Sequence, residues 1–444
     1  MKLAASQRVD GRWQRWVLAR LNTRYGLIIL APVPVLYLLF GLYWSEHSAL
    51  QADFTGYYTA ATIAVRGLGA HLYDLDLQRQ VQSEIIFPHR FEVGGVLPFQ
   101  YPPFAVLPFL PLAWLPIRTA YYLWGALNLG FFVAALALLS RSIPELEKAP
   151  RVRAFLWLAS FSLLPFLSAL MLGQLSFLVL LSYVAGFTLL LRGREVEAGV
   201  VLAVAAVKPQ LMIVVPLLLL SKARWGVLAG MAVGLGCLFG LSLLLVGPFD
   251  PVQFLSINRE TAEWLPATLN LTLFGFFSGL LQPWPAAIVP ATGGTEVLIL
   301  LLLWRSWGGT WRPDSSLFRL KLALLLLASM TLAPHLYAHD LVLLVPVAFF
   351  VVGYLVAEGV DGRGLMLARL MAGAVFTAAL VDSYPLLDLP VRPLFLAMVA
   401  TGGAVLLVVM KENGRGNLPR PSMATMRSTS PRPPEVGGSR PGPP

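Results

Sequence analysis

Asp53 stands four and five residues ahead of Tyr57 and Tyr58, at the head of a stretch without further charge that runs to Val65. A carboxylate placed there can take a proton from an attacking hydroxyl. The same Asp, at the start of a helix, also reads as an N-cap, and the two roles are compatible because one geometry fixes the side chain for both. Lys208-Pro209-Gln210 lies inside the apolar run 198–220. A lysine there can snorkel only if it is near an end; otherwise it needs an anion, either a bound phosphate or a carboxylate of the protein. Pro334-His335-Leu336-Tyr337-Ala338-His339-Asp340 places two of the five His at one boundary between apolar runs. His335 and His339 have the spacing of a zinc pair on a helix, but Pro334 and the absence of His-Glu-x-x-His argue against a metal. Binding of a phosphate or a sugar hydroxyl is the better reading.

Three further signals are weaker. Tyr101-Pro102-Pro103 opens an apolar run, where prolines fit a first helical turn and a Tyr fits the aromatic belt of a bilayer. Gly173-Gln174 interrupts the apolar stretch 154–191 near its middle and reads as a tight polar turn. Asn270-Leu271-Thr272 matches a glycosylation sequon and reads as the N-cap of a helix over 269–281. Ionisable groups beside lipid are costly, so each is a candidate site residue. Carboxylate, Tyr, Asn, Lys, His and Asp together suit a substrate with a lipid-embedded chain and a phosphate head, attacked by a hydroxyl.

The elements that must position these groups follow from composition. The 444 residues are 57% hydrophobic and 13% charged, against roughly 45–50% and about 25% in soluble domains. The reading is an all-α polytopic membrane protein. The net charge of +10 resembles a nucleic-acid signature until it is located. Residues 1–25 hold six basic side chains against Asp10, and residues 411–444 hold six against Glu412 and Glu435, so the two ends carry nearly all of it. That is the pattern of cytoplasmic tails, and no nucleic-acid partner is expected. The single Cys237 excludes an intramolecular disulfide and reads as a small buried hydrophobe.

Apolar runs at 25–44, 101–116, 119–139, 154–171, 174–191, 198–220, 225–246, 286–304, 320–334, 341–357, 366–381 and 391–410 give about 12 transmembrane helices. The first reads as a signal-anchor helix rather than a cleaved signal. A basic cytoplasmic segment, 1–24, precedes a transmembrane domain over 25–410. A Pro/Arg-rich tail over 411–444 reads as disordered. With both termini cytoplasmic, loops 305–321 and 358–369 also fall inside, whereas the basic loops 141–153 and 192–197 fall on the wrong side. A bend of 198–220 at Lys208-Pro209 into two half-spans would change that parity. The first external loop, 45–98, is large, and its segment 53–65 reads as an amphipathic helix lying along the interface, closed by Arg66-Gly67.

In succession these segments run Asp53-Phe54-x-x-Tyr57-Tyr58-x-Ala60-Ala61, Gly67 to His71-Leu72-Tyr73-Asp74, Tyr101-Pro102-Pro103 and Pro111-Leu112-Ala113-x-Leu115-Pro116. They continue with Trp124-x-x-x-Asn128, Gly173-Gln174, Ala198-Gly199 with Lys208-Pro209, Asn270-x-Thr272, and Pro334-His335 through Asp340. That order, over about residues 25–410, resembles the bacterial polytopic glycosyltransferases of family 87, which have the GT-C fold. The resemblance implies transfer of a sugar, typically mannose, from a polyprenyl-phosphate donor to a lipid or glycan acceptor on the outer face of the bacterial plasma membrane. It implies Asp53 as general base and His335 or His339 near the donor phosphate, with inversion at the anomeric carbon. Tyr57, Tyr101, Lys208, Asn270 and Asp340 complete the expected substrate site. The loop 45–98 could hold a divalent cation, but no ligand spacing supports one, and no cofactor is expected. A secondary transporter or flippase would also use many spans and broken helices, but it usually shows two related halves, and no second copy of the Asp53 or Tyr-Pro-Pro segment is present.

Overall fold

The computed structural model describes residues 28, 30–87, 89, 95–261, 264, 267, 270–358 and 391–416. Every regular element among them is helical. In chain order the helices are α1 (Pro32–Ser48), α2 (Phe54–Val65), α3 (Leu75–Ile86), α4 (Ile117–Ser142), α5 (Pro150–Phe161), α6 (Leu164–Met171), α7 (Ser176–Leu191) and α8 (Glu195–Ala203). Then come α9 (Val214–Ser221), α10 (Trp225–Leu245), α11 (Pro251–Thr261), α12 (Leu273–Leu280), α13 (Ile288–Ser306), α14 (Ser316–Thr331), α15 (Leu344–Ala357) and α16 (Pro393–Gly416).

Five helices, counting α15 with the short turn at Ala338, are long and apolar enough to cross a bilayer, and six if α5 and α6, bent by 47°, form one span. The expected count of about 12 is thus not reached by length alone among the described residues, and the run 366–381 lies outside them. Several remaining spans are short because prolines and polar pairs break them. Large apolar side chains on α10, α13 and α16 face outward, with Leu244 82% and Leu407 72% exposed. Such a surface is stable only against lipid, and the protein is a multi-pass membrane protein. Cys237 sits on the outer face of α10 and is exposed, not buried as its apolar setting suggests.

Two sequence expectations change in a way that matters for topology. The run 101–116 is not an α-helical span: Pro108 and Pro111 deny it i→i−4 bonds, so it winds as a 3₁₀ helix over Pro103–Trp114 with half its side chains buried. The helix after Asp53 does not lie along the interface either. Ten of the twelve α2 residues are buried, because it carries no charge and its hydroxyls are satisfied inside. Thr59 and Thr62 donate to the carbonyls of Thr55 and Tyr58, and Tyr58 reaches Leu115 O at 2.7 Å. It does end at Arg66 and Gly67, whose φ of +75° only glycine takes freely.

The run 198–220 bends where Lys208-Pro209 separates α8 from α9 through two short 3₁₀ turns. With these changes the basic loops meet at one end. Arg319 pairs with Glu145 at 2.5 Å, Arg224 pairs with Glu195 and stacks on Trp311, and Lys222 caps Trp304 O. Loops 141–153 and 192–197, which parity had placed on the far side, therefore join 305–321. Helix α16 also runs past Lys411, where the tail was expected to be disordered, and Asn413 donates to Ser306 O at 2.7 Å. Residues 1–24 and 417–444 lie outside the described residues.

Helices α8 and α10 cross at glycines: a Cβ on Gly199 would stand 2.0 Å from Val227 O, and one on Gly230 2.0 Å from Val196 O, whereas Gly236 meets nothing within 4 Å. Gly230→Ala is expected to cost about 1–3 kcal/mol by forcing the backbones apart. Gly236→Ala should be neutral or stabilising by up to about 1 kcal/mol. Thermal unfolding of the two variants in detergent checks the contrast.

Candidate functional site

At the end opposite the basic loops, a cavity of about 940 Å³ opens between the start of α2, the Pro-rich 3₁₀ segment, the Lys208 break and the segment 334–340. Asp53, Tyr57, Tyr101, Lys208, His335, His339 and Asp340 all line it. The structure thus gathers seven of the eight expected site residues from segments nearly 300 positions apart. Asn270 is the exception. It does not line the cavity, its Oδ1 is buried without a hydrogen-bond partner, and it does not cap the helix. Thr272 does so instead, accepting from Gly275 N. What this stretch contributes is backbone: Leu271 N donates to Leu336 O at 2.9 Å and ties it to the His segment.

The site is held by the turn at Gly173-Gln174. Gly173 has φ +65°, and a Cβ there would stand 2.7 Å from Phe54 Cβ, so only glycine lets the turn dock on the start of α2. Phe54 N donates to Leu172 O at 2.9 Å. From α4, Tyr121, Trp124 and Asn128 donate to the carbonyls of Met171, Gly173 and Gln174. These bonds satisfy the backbone freed between α6 and α7.

Gln174 is consequently buried beside Asp53 and donates through Nε2 to Asp53 Oδ2. Its Oε1 accepts from Tyr57 Oη at 3.1 Å and from Lys208 Nζ at 2.9 Å. The amide orientation is chemically forced, because an ammonium only donates and a carboxylate only accepts. Lys208 completes its three donors on Ser176 Oγ at 3.0 Å and Asp340 Oδ1 at 2.5 Å, with both charged side chains 1% exposed. Ser176 donates to the same Asp340 oxygen at 2.8 Å, and His339 Nε2 lies 3.5 Å from Asp340 Oδ2. Tyr57 stacks on Phe109 with ring centroids 4.9 Å apart and lies 5.1 Å from the Tyr101 ring, giving the cavity an aromatic wall.

Asp53 occupies the N-cap position of α2 but makes no capping bond: its backbone is helical and its carboxylate turns to Gln174 and the cavity. Of the two roles open in the sequence, the cap is not used. Burial pushes its carboxyl above the usual 3.8, against the Gln174 bond and the Lys208 charge, which lower it, with Asp340 raising it further. Burial pushes His335 below its usual 6.5. Among the described residues no three His, Cys, Asp or Glu side chains group as a metal site would need.

Residues 99–281 match the model of Glycosyltransferase family 87. No curated protein and no solved structure matches the chain. Similarity to that family implies a membrane glycosyltransferase, which would use a sugar donor and an acceptor. The matched stretch holds Tyr101, Gln174, Ser176 and Lys208 but neither Asp53 nor Asp340. Those two carboxylates reach the family 87 segment only through the fold, at the two ends of the Gln174–Lys208 pair. Gln174 and Ser176 were not singled out in the sequence as site residues; the available signal was a polar Gly-Gln pair in the middle of a long apolar run.

Removing one partner of a buried ion pair strands the other charge. Lys208→Met is expected to cost about 3–5 kcal/mol. Lys208→Met combined with Asp340→Leu should recover most of that loss. Thermal unfolding of both variants in detergent checks it; equal destabilisation by both would refute the pairing.

Proposed function

We propose that this family 87 protein moves a sugar, mannose by family resemblance, from a polyprenyl-phosphate donor to a hydroxyl of a lipid or glycan acceptor. The reaction runs on the external face of a bacterial plasma membrane, with both termini cytoplasmic. The observation that carries the reading is Asp53, a carboxylate open to the cavity yet fixed by one hydrogen bond from a buried amide. Asp53 takes the proton of the acceptor hydroxyl as its oxygen attacks the anomeric carbon. The bond from that carbon to the phosphate oxygen breaks on the opposite face, and polyprenyl phosphate leaves. One displacement inverts the configuration, and general-base help of this kind is worth about 10²–10⁴-fold.

Support for the lipid donor comes from the cavity wall, where Ile213 is both lining and 52% exposed on the apolar surface, so an isoprenoid chain can enter from the bilayer. Support for the external face comes from charge. Basic loops gather at the end away from the cavity, and Lys and Arg favour the cytoplasmic side. The family match favours transfer over the transporter reading.

Gln174 positions the base. Its Nε2 holds Asp53, and its own rotamer is locked by Tyr57 and Lys208. Because burial raises the Asp53 carboxyl and the base must be ionised, activity should fall on acidification through a value above 3.8. Gln174→Leu removes a bond that lowers this value, so the acid limb should move to higher pH while kcat drops about tenfold and donor KM changes little. Asp53→Asn should lose at least about 10²-fold in transfer from labelled polyprenyl-phosphate mannose by the purified protein. Transfer by Asp53→Asn at the rate of the unmodified protein would remove Asp53 as base.

A further inference from the structure

The break at Lys208-Pro209 brings a second polar side chain to the cavity besides the lysine. Pro209 has no N–H to continue α8, and the chain crosses toward α9 through the 3₁₀ turn Pro209–Leu211, with Leu211 N donating to Lys208 O at 3.0 Å. From this turn Gln210 lines the cavity while only 8% exposed. Among the described residues its side-chain amide has no hydrogen-bond partner. Its neighbours on the wall are different: Gln174 uses both ends of its amide inside the protein, and Lys208 uses all three donors.

A nine-tenths buried amide without a partner is costly to keep, and what enters the cavity must satisfy it. The chemistry of the amide restricts the choice, since its oxygen only accepts and its nitrogen only donates. A phosphate offers acceptors alone and would leave Oε1 unpaired, and a prenyl chain offers nothing to either end. A hydroxyl both donates and accepts, so two adjacent hydroxyls on one ring can bond both ends of the planar amide at once.

Position selects whose hydroxyls these are. Three residues on, Ile213 lines the cavity and is 52% exposed on the apolar surface, where the isoprenoid chain enters. Residues three apart in such a turn are about 6 Å apart, comparable with the phosphodiester that separates a prenyl chain from its sugar. Lys208, at the other end of the turn, is tied through Gln174 to Asp53. A donor whose chain lies at Ile213 therefore brings its own sugar, rather than the acceptor's, to Gln210.

We infer that Gln210 is a specificity-determining residue for the donor sugar, bonding two adjacent ring hydroxyls through Oε1 and Nε2. The inference rests on the lipid-phosphate donor reading above. A site built to hydrogen-bond a hydroxyl discriminates strongly against a substrate that lacks it, because the amide is then left buried and unpaired. Gln210 orients the sugar, and proton transfer stays with Asp53.

The test is equilibrium binding to the purified protein in detergent of polyprenyl-phosphate mannose, its monodeoxy forms each lacking one hydroxyl, polyprenyl phosphate and uncharged polyprenol. The unmodified protein should bind two neighbouring monodeoxy forms about tenfold more weakly than the intact donor. Gln210→Met should lose about tenfold or more for the intact donor and no longer distinguish those two forms from it. It should hold polyprenyl phosphate as the unmodified protein does, which also reports that the variant is folded.

Unchanged binding of the intact donor by Gln210→Met would overturn the assignment; slow transfer by the same variant would then give the amide to the acceptor. If the unmodified protein binds every monodeoxy form as tightly as the intact donor, no hydroxyl is read and the inference falls without any variant. Both results leave the lipid-phosphate reading intact. Equal affinity of the unmodified protein for polyprenyl phosphate and polyprenol would instead overturn that reading, and the inference with it.

Discussion

An ammonium and a carboxylate, each 1% exposed, face one another at 2.5 Å across 132 positions of sequence. Each offsets the burial cost of the other, and the geometry that keeps them together fixes their neighbours. Ser176 joins Lys208 to Asp340, Gln174 takes the remaining lysine donor, and its amide nitrogen is thereby turned to Asp53. Four chain segments meet at this one pair, and the orientation of the proposed base is set by it at two bonds' remove. The pair is not a source of stability compared with an apolar core of the same shape; its value is that it permits one arrangement.

Around it the helices are broken, and the breaks are satisfied in a repeated way. Tyr58 donates to Leu115 O, Tyr73 to Tyr101 O, Tyr121 to Met171 O, Trp124 to Gly173 O and Tyr183 to Leu211 O. Each is an aromatic side chain whose single polar atom fills a carbonyl freed near a proline or a turn, while its ring packs in the apolar surroundings. Prolines and glycines thus open the cavity, and aromatic donors make the openings affordable beside lipid.

Hydropathy reads burial and lipid exposure alike, and that limits what it can resolve here. The run 101–116 is as apolar as a span, yet its prolines wind it into a buried 3₁₀ segment. Counting it as a span inverted the loops that followed, and the basic loops 141–153 and 192–197 landed on the wrong side. The helix from Phe54 to Val65 sets Thr55, Thr59 and Thr62 along one face, like an interfacial helix. Its polar residues are hydroxyls, though, and hydroxyls can be satisfied inside a protein where charges cannot. Asn270 and Asp53 both read as caps; neither is one, because Thr272 accepts the helix N–H in place of Asn270 and the Asp53 carboxylate accepts from the distant Gln174 instead.

Composition, the charge placed at the two ends, and the scarcity of ionisable residues between them determined from the sequence that the chain lives in a membrane. They also determined which few side chains were worth asking about, since a charge beside lipid must have a reason. Those are properties of single positions and their immediate neighbours. Tertiary structure decided the rest because the decisive interactions are pairwise and remote. It decided that Lys208 pairs with Asp340, and that a neutral glutamine with no charge signature stands between lysine and base. It placed Gln210, in the sequence only a polar neighbour of Lys208-Pro209, on the wall of the same cavity.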